Sequence, residues 1–366
     1  MSAPSILFVV DAGPTVGGGH VMRSLTLARA LEAEGARCLF IVNPAGKAML
    51  DAFGGEVSHV ETYEITEPAL VTCAADIARN YDAIVIDHYG LSADDHRRIS
   101  DAPQNSPHPG EGRDEGNGGG RPTLVIDDLA DRLLAADLVL DSGPARRAED
   151  YDGLVPRRAE LLLGPHYAPV RPAFAALRKE ALARRAKALP VRRILVSLGL
   201  TDVGGITGRV VELMLPATGA ATLDVVVGAA APSLPRLRER AQAEPRLVLH
   251  VDTQDMPRLT LEADLAVGAS GSSTWERCVL ALPTLSLILA DNQRPAARAL
   301  AEAGAIMGLE AAALDFDATF SAALGRLIDE PILRDALSAA SAAVCDGRGA
   351  ARVAERFLAL IGQGKL

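Results

Sequence analysis

The stretch GASGSSTWERCVLALPTLSLILADNQRP, residues 268–295, decides how the rest of the chain is read. A strand-like apolar run, residues 263–269, arrives at small residues. Ser272, Ser273 and Thr274 are residue types that cap a helix start, so a helix is expected from about Trp275 to Leu282, with Pro283 as its stop. An apolar strand, residues 284–290, comes next. A turn of this kind, with Ser270 and Gly271 at its bend, aims unsatisfied backbone N–H groups and the positive helix end at one spot, which suits phosphate. Glu276, one turn in, can accept hydrogen bonds from a ribose diol. An ordinary βα turn whose serines only cap the helix fits the same local pattern.

The alternation extends in both directions. Ser5–Val10 reads as a buried strand that runs into the glycine-rich loop DAGPTVGGGH, residues 11–20. The helix after it places Met22, Leu25, Ala28 and Leu31 on one face and Arg23, Arg29 and Glu32 off it, with Gly35 as the stop. The strand of residues 38–42 closes the unit. The GGG is not GxGxxG and no acidic residue ends that second strand, so a dinucleotide site is not indicated. Helices at residues 69–79 and 93–99 and strands at 81–87, 123–131, 137–143 and 160–167 continue the first half. Residues 101–122 interrupt it with a Pro/Gly/Asn-rich polar run, the composition of a disordered surface loop. A charged helical stretch, residues 171–185, reads as the connection between halves. Strands at 192–199, 223–228 and 246–251 and a helix at 206–215 restart the pattern before the opening stretch. Three helices, residues 317–329, 331–344 and 350–361, end the chain.

The domains read as residues 1–170, a linker at 171–190, a second domain at 191–345, and a last helix, 346–366, crossing back to the first. The fold class is α/β, with two Rossmann-like domains of parallel sheet facing a central cleft, the GT-B arrangement. Both glycine-rich loops lie at strand carboxyl ends, where open α/β sheets bind ligands.

Composition fits a globular protein with an aliphatic core: 49% hydrophobic, 4% aromatic and 23% charged over 366 residues. Net charge is −10, which argues against non-specific nucleic-acid binding but not against a single anionic ligand. Four cysteines (Cys38, Cys73, Cys278, Cys345) lack CxxC spacing and read as buried free thiols. The first residues lack a basic leader, and no apolar run reaches membrane-span length, so a cytoplasmic monomer with no membrane insertion is expected.

Several motifs occur in order: GGGHVMRSLTLARAL (17–31), IDHYGL (86–91), IDDLADR (126–132), LLLGPHYAPVRPAF (161–174), ILVSLGLTD (194–202) and the stretch through Pro295. Together they resemble the UDP-sugar hydrolases of pseudaminic acid biosynthesis, which remove UDP from UDP-2,4-diacetamido-2,4,6-trideoxy-β-L-altropyranose. The match covers nearly the whole chain except residues 101–122. Where the family carries GGSD, this chain has Gly199-Leu200-Thr201-Asp202. The resemblance implies water attack at the anomeric carbon with UDP leaving, no cofactor and no metal.

His20, at the end of the first glycine loop, is the candidate base, since neutral imidazole is well populated near neutral pH. Gly18 and Gly19 precede it at the substrate. Tyr89 and Asn292, each just past a strand, are the further catalytic candidates. Asp11 and Arg23 are expected behind them, and His88 beside the sugar. Gly199, Thr201, Ser270, Gly271, Ser272, Ser273 and Thr274 are expected around the diphosphate, which as a leaving group needs charge stabilisation more than protonation. Met256 is the candidate for the uracil, Gln293 for the sugar, and Arg171 for a further substrate contact. His166 and Tyr167 read as packing residues at the hinge. Asp127-Asp128 reads as a structural turn rather than a metal site. Three rivals remain. A glycosyltransferase would call for a membrane-facing patch in the first domain. A hydrolysing UDP-sugar 2-epimerase would need a further acid/base pair at C2. A non-catalytic nucleotide-sugar sensor would leave His20, Tyr89 and Asn292 without a reason to occur together.

Overall fold

The computed structural model describes residues 3–13, 18–53, 60–62, 67–103, 120–187 and 189–363. Residues 14–17 of the first glycine loop and 104–119 of the polar run lie outside these. The first half carries β1 (Ser5–Val10), α1 (Gly19–Ala33), β2 (Arg37–Val42), α2 (Pro44–Phe53), β3 (Val60–Thr62) and α3 (Glu67–Ala78). It continues through β4 (Ala83–Asp87), α4 (Ala93–Ser100), β5 (Thr123–Ile126), β6 (Leu138–Asp141) and β7 (Glu160–Leu163). Then come α5 (Pro172–Arg185), β8 (Arg193–Ser197), α6 (Ile206–Met214), β9 (Thr222–Val227), α7 (Leu234–Ala243), β10 (Leu247–Val251) and α8 (Met256–Glu262). The chain ends with β11 (Leu265–Ala269), α9 (Ser273–Val279), β12 (Thr284–Ile288), α10 (Arg294–Glu302), β13 (Met307–Glu310), α11 (Phe316–Asp329), α12 (Pro331–Val344) and α13 (Gly349–Gln363).

Among the described residues the strands form two sheets, ordered β3-β2-β1-β4-β5-β6-β7 and β10-β9-β8-β11-β12-β13, with every pairing parallel. The near-continuous apolar runs follow from burial on both faces. Along β1, Ile6, Phe8 and Val10 pack with α1 and α13, while Leu7 and Val9 face α3 and α4. Phe8 stacks on Phe40 of β2 with ring centroids 4.7 Å apart. Strand order reverses between β1 and β4 in one sheet and between β8 and β11 in the other. The crevices at these two points are where doubly wound sheets place ligands.

Some boundaries differ from the sequence reading. Helix α9 starts two residues early and stops before Pro283, because Ala281 turns into the left-handed region at φ +53°. Ser272 occupies the N-cap, but no side chain caps that helix. Helices α2, α7, α8 and α10 and strands β3 and β13 carry too weak a pattern to have been singled out.

Helix α5 packs on α8, α9 and α12 with Phe174 and Ala181 buried. Its Arg178 and Arg185 donate to carbonyls at helix ends, including Val279 O at 2.7 Å and Thr260 O at 3.0 Å. Helix α13 packs on α1, and its Val353, Ala354, Phe357 and Ile361 join the core of the first half. Its start lies so close to the preceding connection that a Cβ on Gly349 would fall 2.3 Å from Ala168 O. The last helix is therefore a structural part of the first half. Truncating the fully buried Phe357 to Ala is expected to cost about 3–5 kcal/mol. Urea unfolding measures this, and an unchanged midpoint would contradict the packing.

Candidate active site

The first crevice is organised by Asp87, the last residue of β4 and completely buried. His20, in the first turn of α1, holds its Nδ1 2.7 Å from Asp87 Oδ1. Arg23, one turn later, grips the same carboxylate with Nε at 2.8 Å and Nη2 at 2.6 Å, and Ser24 Oγ donates to it at 2.9 Å. Helix spacing explains the set, since residues three and four apart share a face. Arg23 was expected off the buried face of α1. The helix is instead covered on several sides, by the sheet, by α13 and by the crevice.

Arg23 Nη1 also reaches Asp128 Oδ2 at 2.9 Å, and Asp128 Oδ1 accepts from the Tyr89 hydroxyl. The rings of His20 and Tyr89 meet edge to face with centroids 4.5 Å apart. Burial alone would raise the Asp87 carboxyl, but Arg23 and then His20 outweigh it and hold it well below the usual carboxylate range. Asp128 is lowered too, by Arg23 and Tyr89 against its burial. The Tyr89 hydroxyl is pushed up, by burial first and then by Asp128. Asp127 serves another network, accepting from Arg132 at 2.7 Å and from the buried Tyr151 hydroxyl at 2.9 Å. Among the described residues no group of three or more His, Cys, Asp or Glu is placed to hold a metal ion.

His88 is buried, and its Nδ1 accepts from the Gly90 N–H at 3.0 Å within the turn. Asp11 accepts from Asn43 Nδ2 at 3.0 Å, and its N–H donates to Asp87 O at 3.1 Å.

In the second half, the turn after β11 is built differently from the reading of its serines. Ser270 is buried, its hydroxyl 2.8 Å from that of Ser286. Ser273 Oγ and Thr274 Oγ1 accept from the Arg277 guanidinium, each at 3.0 Å. Glu276 accepts from both Arg171 Nε and Nη2 at 2.8 Å, so the expected ribose acceptor and the expected substrate contact pair with each other. Met256 is the first residue of α8 and packs against two apolar clusters, one containing Trp275 and Leu280. Met256 is half-buried there.

After β8, Gly199 adopts φ +101°, and Asp202 caps α6 by accepting from Thr207 N–H at 2.8 Å. Thr201 is exposed beside it. Gln293 Oε1 accepts from the Leu289 N–H at 2.9 Å, and its Nε2 faces Gly271.

The two crevices face each other. A Cβ on Gly19 would sit 3.4 Å from Ser272 Oγ, and Asn292 lies near enough to the Tyr89 hydroxyl to oppose its upward shift. His20, Tyr89 and Asn292 are thus brought to one place, with Gly18, Gly19, Ser272 and Gly271 around them. The sequence reading missed Asp87 and Asp128 as parts of this cluster and Arg277 beneath the second turn. A carboxylate closing the buried strand YDAIVID was the available signal for Asp87.

The expected fold agrees with known proteins. No family model matches the chain. The chain is 24% identical over 299 residues to the UDP-2,4-diacetamido-2,4,6-trideoxy-beta-L-altropyranose hydrolase of Campylobacter jejuni, covering 82% of this chain and 97% of that protein. It is 29% identical over 192 residues to the spore coat polysaccharide biosynthesis protein SpsG of Bacillus subtilis, covering 52% of this chain and 56% of that protein. Among solved structures, the S. aureus MnaA–UDP co-structure aligns with a TM-score of 0.62 at 14% identity, over 98% of this chain and 97% of that one. The chain resembles the Campylobacter hydrolase over most of its length, and its fold is GT-B.

Proposed function

We propose that the protein is a nucleotide-sugar hydrolase that cleaves UDP from UDP-2,4-diacetamido-2,4,6-trideoxy-β-L-altropyranose. Water attacks the anomeric carbon with inversion and free 2,4-diacetamido-2,4,6-trideoxy-L-altrose results. The observation that carries this reading is the His20–Asp87 pair at the crevice, with the Tyr89 ring edge to face against His20. The similarity to the Campylobacter hydrolase supports this choice of substrate, and the reading carries with it a role in pseudaminic acid synthesis for surface glycans or flagellin in the cytoplasm.

An ionised carboxylate only accepts hydrogen bonds, so Asp87 fixes the His20 proton on Nδ1. Nε2 then carries the lone pair, and among the described residues it has no hydrogen-bond partner. It takes a proton from water as the water oxygen bonds to C1. The C1–O bond to the β-phosphate breaks, and its electron pair leaves with UDP. One guanidinium against two carboxylates leaves the Arg23–Asp87–Asp128 cluster with a negative charge, which favours the imidazolium that forms. Tyr89 and Asn292 orient the sugar, with Gln293 beside its acetamido groups. Backbone amides of Gly18, Gly19, Gly199 and residues 271–273 stabilise the departing diphosphate.

With this substrate, chelator and no acceptor, NMR is expected to show UDP and free sugar appearing together. His20→Ala should lower kcat by about 10²–10⁴-fold while UDP affinity stays unchanged. Substrate left intact until an alcohol acceptor is supplied would make the protein a transferase, and a C2 epimer among the products would make it an epimerase.

Asp87 also ties the site to stability. Its carboxyl is lowered by folding, so its contribution is complete above the unfolded value of about 3.9 and is lost as pH falls through the lower folded value. Asp87→Asn leaves Arg23 without its bidentate partner and is expected to cost about 3–5 kcal/mol at pH 7. The penalty should shrink progressively below about pH 4, where the unfolded chain protonates this carboxyl while the folded protein still keeps it ionised. Urea unfolding across that range measures it, and a pH-independent difference would contradict the assignment.

A further inference from the structure

The turn after β11 rests on a buried cation that has no anionic partner. Arg277 is 3% exposed, yet it makes no ion pair among the described residues. Its Nη2 donates to Ala269 O at 2.7 Å and to Thr274 Oγ1 at 3.0 Å, and its Nη1 donates to Ser273 Oγ at 3.0 Å. Its Nε is buried without a partner. The neighbouring Glu276 is engaged by Arg171. Burial lowers the guanidinium to about 10, so it remains charged at neutral pH.

The chain makes room for this group. A Cβ on Gly268 would lie 2.5 Å from Arg277 Nη1 and 2.6 Å from Cζ, so the guanidinium lies flat against a strand position without a side chain. An uncompensated buried charge is costly, and arginines buried elsewhere in this chain are placed differently. Arg121 and Arg334 donate to backbone carbonyls, while the half-buried Arg23 forks a carboxylate and Arg178 and Arg185 satisfy carbonyls at helix ends. Arg277 alone among these donates into the hydroxyls of a turn that faces the crevice. A hydroxyl that accepts from a cation becomes a stronger donor for the next partner. Ser273 Oγ is engaged only as an acceptor, which leaves its proton to give.

We propose that Arg277 is a positioning residue for the diphosphate of the ligand, its missing counter-charge being supplied when the two phosphates occupy the turn after β11. The charge acts through Ser273, Thr274 and the backbone of that turn rather than by contact. This rests on the hydrolase reading only for the identity of the ligand as a nucleoside diphosphate. The device also predicts a selectivity: the phosphates should depend on Arg277 and the nucleoside should not.

The test is calorimetric binding of UDP and of uridine to full-length wild type, Arg277→Met, Arg277→Lys and Gly268→Ala. Losing a charge-assisted contribution should weaken UDP by on the order of 10–100-fold in Arg277→Met and leave uridine unchanged. Arg277→Lys should recover part of the loss, because it keeps the charge without the fork. Gly268→Ala displaces the guanidinium while keeping it, so it should also weaken UDP selectively, and it carries the test if Arg277→Met does not fold. Wild-type UDP affinity in both Arg277→Met and Gly268→Ala would overturn the proposal, as would equal losses for UDP and uridine, which a purely structural role produces. A wild type that binds UDP and its substrate but does not hydrolyse it would sink the hydrolase reading and leave this proposal standing.

Discussion

The site depends on one buried carboxylate. Asp87 ends β4 at the point where the first sheet changes direction, and four side-chain donors from a single turn of α1 converge on it. A charge so deep is tolerable only because Arg23 and His20 compensate it, and this compensation fixes the helix against the strand. The same contacts set the His20 proton and aim the other ring nitrogen. Position and chemistry therefore have one cause. The Asp128–Tyr89 contact extends the cluster toward Asn292, so the first half does not carry the arrangement alone.

The second half uses positive charge in a different way. Its turn after β11 has small residues, a buried guanidinium and a glycine strand position that accepts that guanidinium's flat face. The first half pairs its charges within one cluster and keeps a carboxylate in excess, whereas the second keeps a guanidinium in excess. Such an asymmetry suits a reaction in which one wall of the cleft manages a proton and the other receives a departing diphosphate. The crossing helix α13 packs on α1, and Gly19 lies against Ser272 where the walls meet.

Much of this was legible in sequence because buried parallel strands are continuous apolar runs, and loops at their carboxyl ends are where side chains reach a crevice. Ser5–Val10 and Pro331–Val344 were placed to the residue, and His20 at the end of the glycine loop and Tyr89 and Asn292 just past strands were singled out with the help of the family resemblance. The serines of the opening stretch were misread. Their types favour capping, but Arg277, buried one turn later, takes the lone pairs of Ser273 and Thr274, and a tertiary contact of that kind leaves no local pattern. Glu276 and Arg171, 105 residues apart, were each assigned to a ligand because their mutual pairing is invisible to spacing. Short helices such as α8 escaped because seven residues give too little periodicity.

The central claim is that water, activated at His20, attacks carbon and not phosphorus. Hydrolysis in ¹⁸O-labelled water, with the released UDP analysed by mass spectrometry, tests this directly, since phosphate oxygens do not exchange with solvent on that timescale. The account predicts UDP free of label, because the bridging oxygen leaves with the β-phosphate when the C1–O bond breaks. Label in the β-phosphate would show cleavage at phosphorus and would contradict the role given to the His20–Asp87 pair.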